Sequence, residues 1–387
     1  MANQNSILDK IIQSKQMEEA TQFNPTEVVS NLLRNLSTKE REIITKRFGL
    51  FGKPKETLEQ IGKQYQITRE RIRQIEVGTI RKIKEFPEFS IQIEPTEHNV
   101  MHLLENYGGF MEENHLIDEL LTYPDPNPIN RQASLFILAN LLNDKLERIK
   151  SDNEVLMGWK LPAISLDTVR QAINELVRII EEQNKLLPTE KIISEFKQKD
   201  FFQKNQEQIV SVKLGTSQGN LTDEEIDKIV FSFLKISYHI NQNILGEWGL
   251  SHWQTVSPKR MSDKAYLVLR KTGKPLHFTE ITDLINQTQF DKKMAYPATI
   301  HNELILDDRY VLVGRGIYGL QEWGYKTGTV IDVIIDILKS SDQPLSKEEI
   351  VKKVLEQRIV RKSTIYLALT NKEKIKKLPD GKYTLNQ

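Results

Sequence analysis

The sequence predicts a mainly α protein: a helix-turn-helix domain followed by four winged-helix repeats, each of α-helices plus a small β-hairpin. Three observations carry this expectation. Short helices between residues 37 and 86 are punctuated by capping residues. One plan of helices ending in a hairpin then recurs four times. Charge is segregated along a 387-residue chain whose formal net charge is only +1. Residues 32–87 hold 14 Lys and Arg against 7 Asp and Glu, residues 96–255 hold 15 against 24, and residues 256–387 hold 23 against 16. Two basic ends flank an acidic middle, which points to different partners for different domains. The expected organisation is a tail at 1–24, the helix-turn-helix domain at 25–90, and winged helices at 96–163, 164–257, 258–324 and 326–387.

In chain order, "STKE" opens the first helix of the block, with Ser37 and Glu40 spaced as a capping box. Ile43 and Ile44 supply its apolar side, and Gly49 suits a left-handed C-cap. "TLEQ" is a second capping box, Thr57 with Gln60, and it opens a short helix with Leu58 and Ile61 inward. After the turn at "IT", Thr68 caps "RERIRQIEVGTIRKIKE". A short helix, a tight turn and a longer helix make the helix-turn-helix unit.

The longer helix sorts its residues. Ile72, Ile75, Thr79 and Ile83 follow helical spacing and form a core face. Arg69, Glu70, Arg73 and Gln74 form a separate stripe at the N-terminal end, the end of a recognition helix that enters the major groove. Arg donates twice to guanine, Gln pairs with adenine and Glu accepts from cytosine N4. Arg41, Lys46, Arg47, Lys53, Lys55 and Lys63 lie near enough in sequence to meet phosphates. The competing reading is a solvated helix held by pairs such as Glu70 with Arg73; the two capping boxes and the separated faces weigh against it.

The stretch from Leu33 to Glu85, through "R-F-G-L", "T-L-E-x-I-G" and "T-R-E-R-I-R-Q-I-E", resembles region 4 of primary-type bacterial sigma factors. The resemblance implies that Arg69, Glu70, Arg73 and Gln74 contact promoter bases. It implies phosphate contacts at Thr57 and Leu58 and at Arg41, with the domain's other face docking on the flap of the RNA polymerase β subunit. Gly78 stands where the family usually has a phosphate-binding Lys; a mid-helix Gly costs roughly 1 kcal/mol against Ala, so the helix is expected to loosen there. The promoter-melting region that precedes region 4 in sigma factors is rich in aromatics. Only Phe23 is aromatic among the residues ahead of the block, so a complete sigma factor is not expected.

The repeats open with "HNVMHLLENYGGFMEENHLIDELL", "VRQAINELVRIIEEQNKLLPTEKIISEF", "DKAYLVLRKTGKPLHFTEITDLI" and "VIDVIIDILKSSDQPLSKEEIVKKVL". They close on "LMGWKL", "ILGEWGL", "GIYGL" and "GKYTL", with a third helix between. Trp159, Trp248, Tyr318 and Tyr383 recur at one place in the plan, which predicts core packing rather than a stacking platform for bases. The third copy resembles the HARE-HTH domain in "P-L-H-F-T-E-I" and "G-R-G-I-Y-G-L". That family includes polymerase delta subunits, and the resemblance implies binding to DNA or joining of proteins. Its third helix, "ATIHNELILDD", is acidic, while its wing offers Arg315 between two glycines as a minor-groove candidate. The fourth copy is the better DNA candidate, gathering Arg358, Arg361, Lys362, Lys372, Lys374, Lys376 and Lys377. The acidic first and second copies suit protein docking.

The chain has no Cys, which excludes disulfides, thiolate metal sites and Cys nucleophiles. No nucleophile motif or phosphate loop is found, and "GGF" at 108–110 falls in a winged-helix turn. His98 and His102 stand four apart on a helix without a metal-binding pattern around them. The reading is a non-enzymatic, cofactor-free, metal-free cytoplasmic protein with no membrane span, no signal peptide and no small-molecule substrate. Its partners are double-stranded DNA and RNA polymerase. The expected function is sequence-specific DNA binding in transcription initiation or its regulation; the alternative is a delta-subunit-like polymerase scaffold with only nonspecific DNA contact.

Overall fold

The computed structural model describes residues 24–121, 127–214, 222–341 and 343–386; the expected N-terminal tail, all but its last residue, lies outside these. The fold is mainly helical with small antiparallel sheets. The chain divides after Asn241 into two compact units.

The first unit begins with α1 (Pro25–Arg34), α2 (Thr38–Phe48), a 3-10 turn (Leu50–Gly52), α3 (Leu58–Tyr65) and α4 (Arg69–Lys84). Both expected capping boxes form, Ser37 with Glu40 and Thr57 with Gln60, and Gly49 takes the left-handed C-cap at φ 68°. Ile43, Ile61 and Ile72 make the small core of the helix-turn-helix. Its turn needs a glycine: a Cβ on Gly62 would lie 2.7 Å from the Ile67 carbonyl oxygen. Helix α4 runs unbroken through Gly78, so the expected loosening does not occur. Its other end is anchored, because Lys82 pairs with Glu40 at 3.1 Å and Lys84 with Asp144 at 2.9 Å.

Next come α5 (Phe89–Asn106), β1 (Phe110–Glu112), α6 (Glu113–Leu120), α7 (Pro128–Phe136), β2 (Glu147–Ile149) and β3 (Gly158–Lys160). This is the winged-helix order, with sheet order β1-β3-β2 and Met111 opposite Trp159. Helix α5 starts ahead of the expected residue 96 and carries Pro95 inside it, at a position where proline cannot donate the helical hydrogen bond. The core does not stop between the two domains. Leu32, Leu33 and Leu50 of the helix-turn-helix block share one cluster with Val100, Phe136 and Trp159.

The second repeat departs from the plan. Helices α8 (Leu166–Gln183), α9 (Thr189–Gln198), α10 (Asp200–Leu214) and α11 (Asp223–Ile236) precede its hairpin, so α10 is an insertion. Helix α11 packs on β1: the Ser232 hydroxyl donates to the Phe110 carbonyl at 2.8 Å, and Phe110 and Phe233 sit 5.1 Å apart. The chain divides within β4 (Ile240–Gln242), and β5 (Trp248–Leu250) belongs to the second unit.

The second unit repeats the winged-helix order with α12 (Met261–Thr272), β6 (Leu276–His277), α13 (Phe278–Thr288), α14 (Pro297–Leu306), β7 (Tyr310–Gly314) and β8 (Ile317–Leu320), in sheet order β6-β8-β7. Then follow α15 (Val330–Lys339), α16 (Lys347–Gln357), α17 (Lys362–Ala368), β9 (Ile375–Lys377) and β10 (Tyr383–Leu385). The last two repeats are stitched together. The Ile359 amide donates to the Val313 carbonyl at 2.7 Å, and buried Arg358 donates to the carbonyls of Leu312 and Gly328 at 2.8 Å each. Burial pushes the Arg358 pKa down. Arg358, expected among the DNA-facing cations of the fourth repeat, is therefore a structural residue: its guanidinium is taken up by two backbone carbonyls. All four repeated aromatics, Trp159, Trp248, Tyr318 and Tyr383, are buried, as core residues should be.

Candidate nucleic-acid interface

Helix α4 is presented by the α3 turn. Thr68 caps it, its hydroxyl accepting from the Arg71 amide at 3.1 Å. Ile72, Thr79 and Ile83 are buried on one face. Arg69, Glu70, Arg73 and Gln74 are all exposed on the first two turns. Arg73 grips Glu70 with two nitrogens, Nε at 3.0 Å and an Nη at 2.7 Å. This hydrogen bond lowers the Glu70 pKa and keeps it ionised. Such an exposed pair contributes little to stability and opens readily.

Arg71, which the residue pattern did not single out, is also exposed and donates to the Gln74 side-chain oxygen at 3.1 Å. It lines a cleft of about 490 Å³ with Lys39, Glu40, Gln74 and Gly78. It lies on the flank of α4 beside Gln74, next to the stripe of Arg69, Glu70 and Arg73. The clue in the sequence was the two-residue spacing of Arg69, Arg71 and Arg73, which puts one Arg off the stripe.

The phosphate candidates fall into two groups. Lys53 and Lys63 are exposed; Lys63 makes only a surface pair with Glu59, at 3.1 Å. Lys46 donates to Gln64 at 2.7 Å and lies near the Tyr65 ring. Thr57 heads α3 with the amide of Leu58 beside it, and first-turn amides have no partner within the helix. The other two cations are bonded within the block. Arg41 donates to the Leu33 and Arg34 carbonyls at 3.1 and 2.7 Å, closing the end of α1. Arg47 pairs with Glu76 at 3.2 Å and also donates to the Glu56 carbonyl.

The winged helices differ in what they leave free. In the first, α7 is covered by α1, the end of α2 and the 3-10 turn: Phe136 lies 4.9 Å from Phe48 of α2, and Thr26 of α1 donates to Asn130. Its wing is pinned too, the Leu156 amide donating to Ile236 and the Tyr238 amide to Glu154, at 2.8 and 2.9 Å. Backbone amides of Val155 and Glu154, with Arg170, hold the Asp152 carboxyl down at about 2. In the third, α14 exposes Ile305 and Leu306, and Arg315 is exposed at the wing tip. In the fourth, Arg361 and Lys362 are exposed at the start of α17, as are Lys372, Lys374, Lys376 and Lys377. The His98 and His102 rings are parallel with centroids 6.3 Å apart, and no cluster of three or more metal-ligating groups occurs among the described residues. No helix among the described residues is long and apolar enough to cross a membrane.

Residues 32–85 match the family model described as Sigma-70, region 4. The match covers α2, α3 and α4 together with the end of α1. Region 4 is a DNA-binding regulatory region, not an enzyme, and it implies interaction with DNA and RNA polymerase in general.

Proposed function

We propose that this protein is a sequence-specific DNA-binding transcription factor that inserts the first turns of α4 into the major groove and works with RNA polymerase at initiation or in its regulation. The observation that carries the reading is the sorted helix: four base-competent side chains exposed at its N-terminal end, opposite a buried face, within the segment that matches Sigma-70 region 4. Arg69, Arg73 and Gln74 supply donors for guanine and adenine, and Glu70 supplies an acceptor for cytosine. Lys53, Lys63 and the start of α3 at Thr57 and Leu58 hold the backbone, joined by Lys46 once it releases Gln64. Arg361 and Lys362 give a second, charge-driven contact, and Arg315 a third at a hairpin tip.

Polymerase is the protein partner in this reading, with the β flap as its docking element. That contact uses surface other than α1 and the 3-10 turn, which α7 already covers. A delta-subunit-like scaffold is the second reading, favoured by the exposed Ile305 and Leu306 on the acidic α14 and by the HARE-HTH resemblance of that repeat. Selection of bound duplexes from a random pool separates the two: the first reading gives a motif, the second gives none.

A further inference from the structure

We infer that Val77 reads a thymine methyl group and so is a specificity-determining residue of α4; the inference rests on the DNA-binding reading above. With about 100° per residue, Arg69, Glu70, Arg73 and Gln74 span about 140° of the helix surface, and Val77 falls near the middle of that arc. It sits one turn beyond Arg73 and about 10 Å along the axis from Glu70. Its side chain is 54% exposed, the only large apolar side chain of α4 left open to this degree. Local folding gives no reason for it. Valine is a poorer helix former than alanine, and an exposed site returns nothing for its two methyls.

The neighbourhood suits a base contact. Next to it, Gly78 has no atom within 4 Å of where a Cβ would stand, so nothing crowds this flank of Val77. Glu76 is turned away, held by Arg47. The third turn therefore offers an uncharged, apolar step in the middle of a polar reading face. In the major groove the one apolar feature of a base edge is the C5 methyl of thymine.

The test uses the full chain and the duplex motif obtained by selection. Each thymine is replaced in turn by deoxyuridine, which removes only the methyl group. For at least one thymine, the wild type should lose affinity about three- to fourfold, the worth of one buried methyl. Val77→Ala should bind the unmodified site more weakly by a similar factor and show no further loss on the deoxyuridine duplex. A thymine penalty that persists in Val77→Ala, or the absence of any thymine penalty in the wild type, would overturn the inference. A motif that depends on Arg73 but not on Val77 would overturn this inference alone; failure to select any motif would overturn both it and the DNA-binding reading.

Discussion

The first and third winged helices share element order and strand order, yet they spend their third helices differently. Helix α7 is a buttress. Ala133, Phe136 and Ile137 are buried in the core shared with the helix-turn-helix block, and the wing is tied to the end of α11. Helix α14 buries Ile300 and Leu304 but leaves Leu306 83% exposed. One element order thus serves once to brace the helix-turn-helix block and once to leave apolar side chains exposed. Element order alone does not assign a winged helix its job; the residues on the outer face of its third helix do.

The sharpest way to break this contrast is to truncate one residue from each helix. Phe136→Ala removes a buried ring packed against Phe48 and should cost about 3–5 kcal/mol in chemical denaturation. Leu306→Ala should change stability by less than about 0.5 kcal/mol. Equal effects would mean that α7 is not a buttress.

A titration sharpens the same picture at the seam between the first two repeats. His115 is buried between Tyr107 and Phe231, and burial, then Lys235, push its pKa down to about 4. Asp118 acts in the opposite sense, and the Glu119 carboxylate lies 3.8 Å from Nε2, too far for a hydrogen bond. Glu112 faces Lys235 from the same seam. The folded state disfavours the imidazolium, so the unfolded chain binds more protons between the ordinary value near 6.5 and 4. Stability from this group is complete above pH 6.5 and falls as the pH drops, by up to about 3 kcal/mol. Urea midpoints measured against pH should show this decline in the wild type and a shallower one in His115→Gln.

In the second unit the corresponding seam is Arg358. Arg358→Ala removes both hydrogen bonds from a buried side chain and should cost about 2 kcal/mol, while Arg361→Ala should leave stability unchanged. A thermal melt of the two variants separates a structural cation from a surface one.

Much of this was legible in the sequence because it is local. The pairs Ser37–Glu40 and Thr57–Gln60 and the Thr68 cap are three-residue signals, and the buried Ile72, Thr79 and Ile83 follow from helical spacing. The wing aromatics were recognisable as core because they recur. What sequence could not show depends on partners far along the chain. Arg47 looks like a surface cation until Glu76, 29 residues away, meets it. Arg358 looks the same until Leu312 is found beside it, 46 residues away. The burial of α7 depends on α1, and α10 has no sequence signal that sets it apart from the planned helices of its repeat.

In the proposed function α4 reads sequence rather than charge. The direct measurement is equilibrium binding of wild type and Arg73→Ala to the selected duplex and to a random duplex at one salt concentration, with Lys53→Ala alongside. Arg73→Ala should lose about 1–3 kcal/mol on the selected site and almost nothing on random DNA, while Lys53→Ala weakens both alike. Equal losses on the two duplexes for Arg73→Ala would contradict the claim.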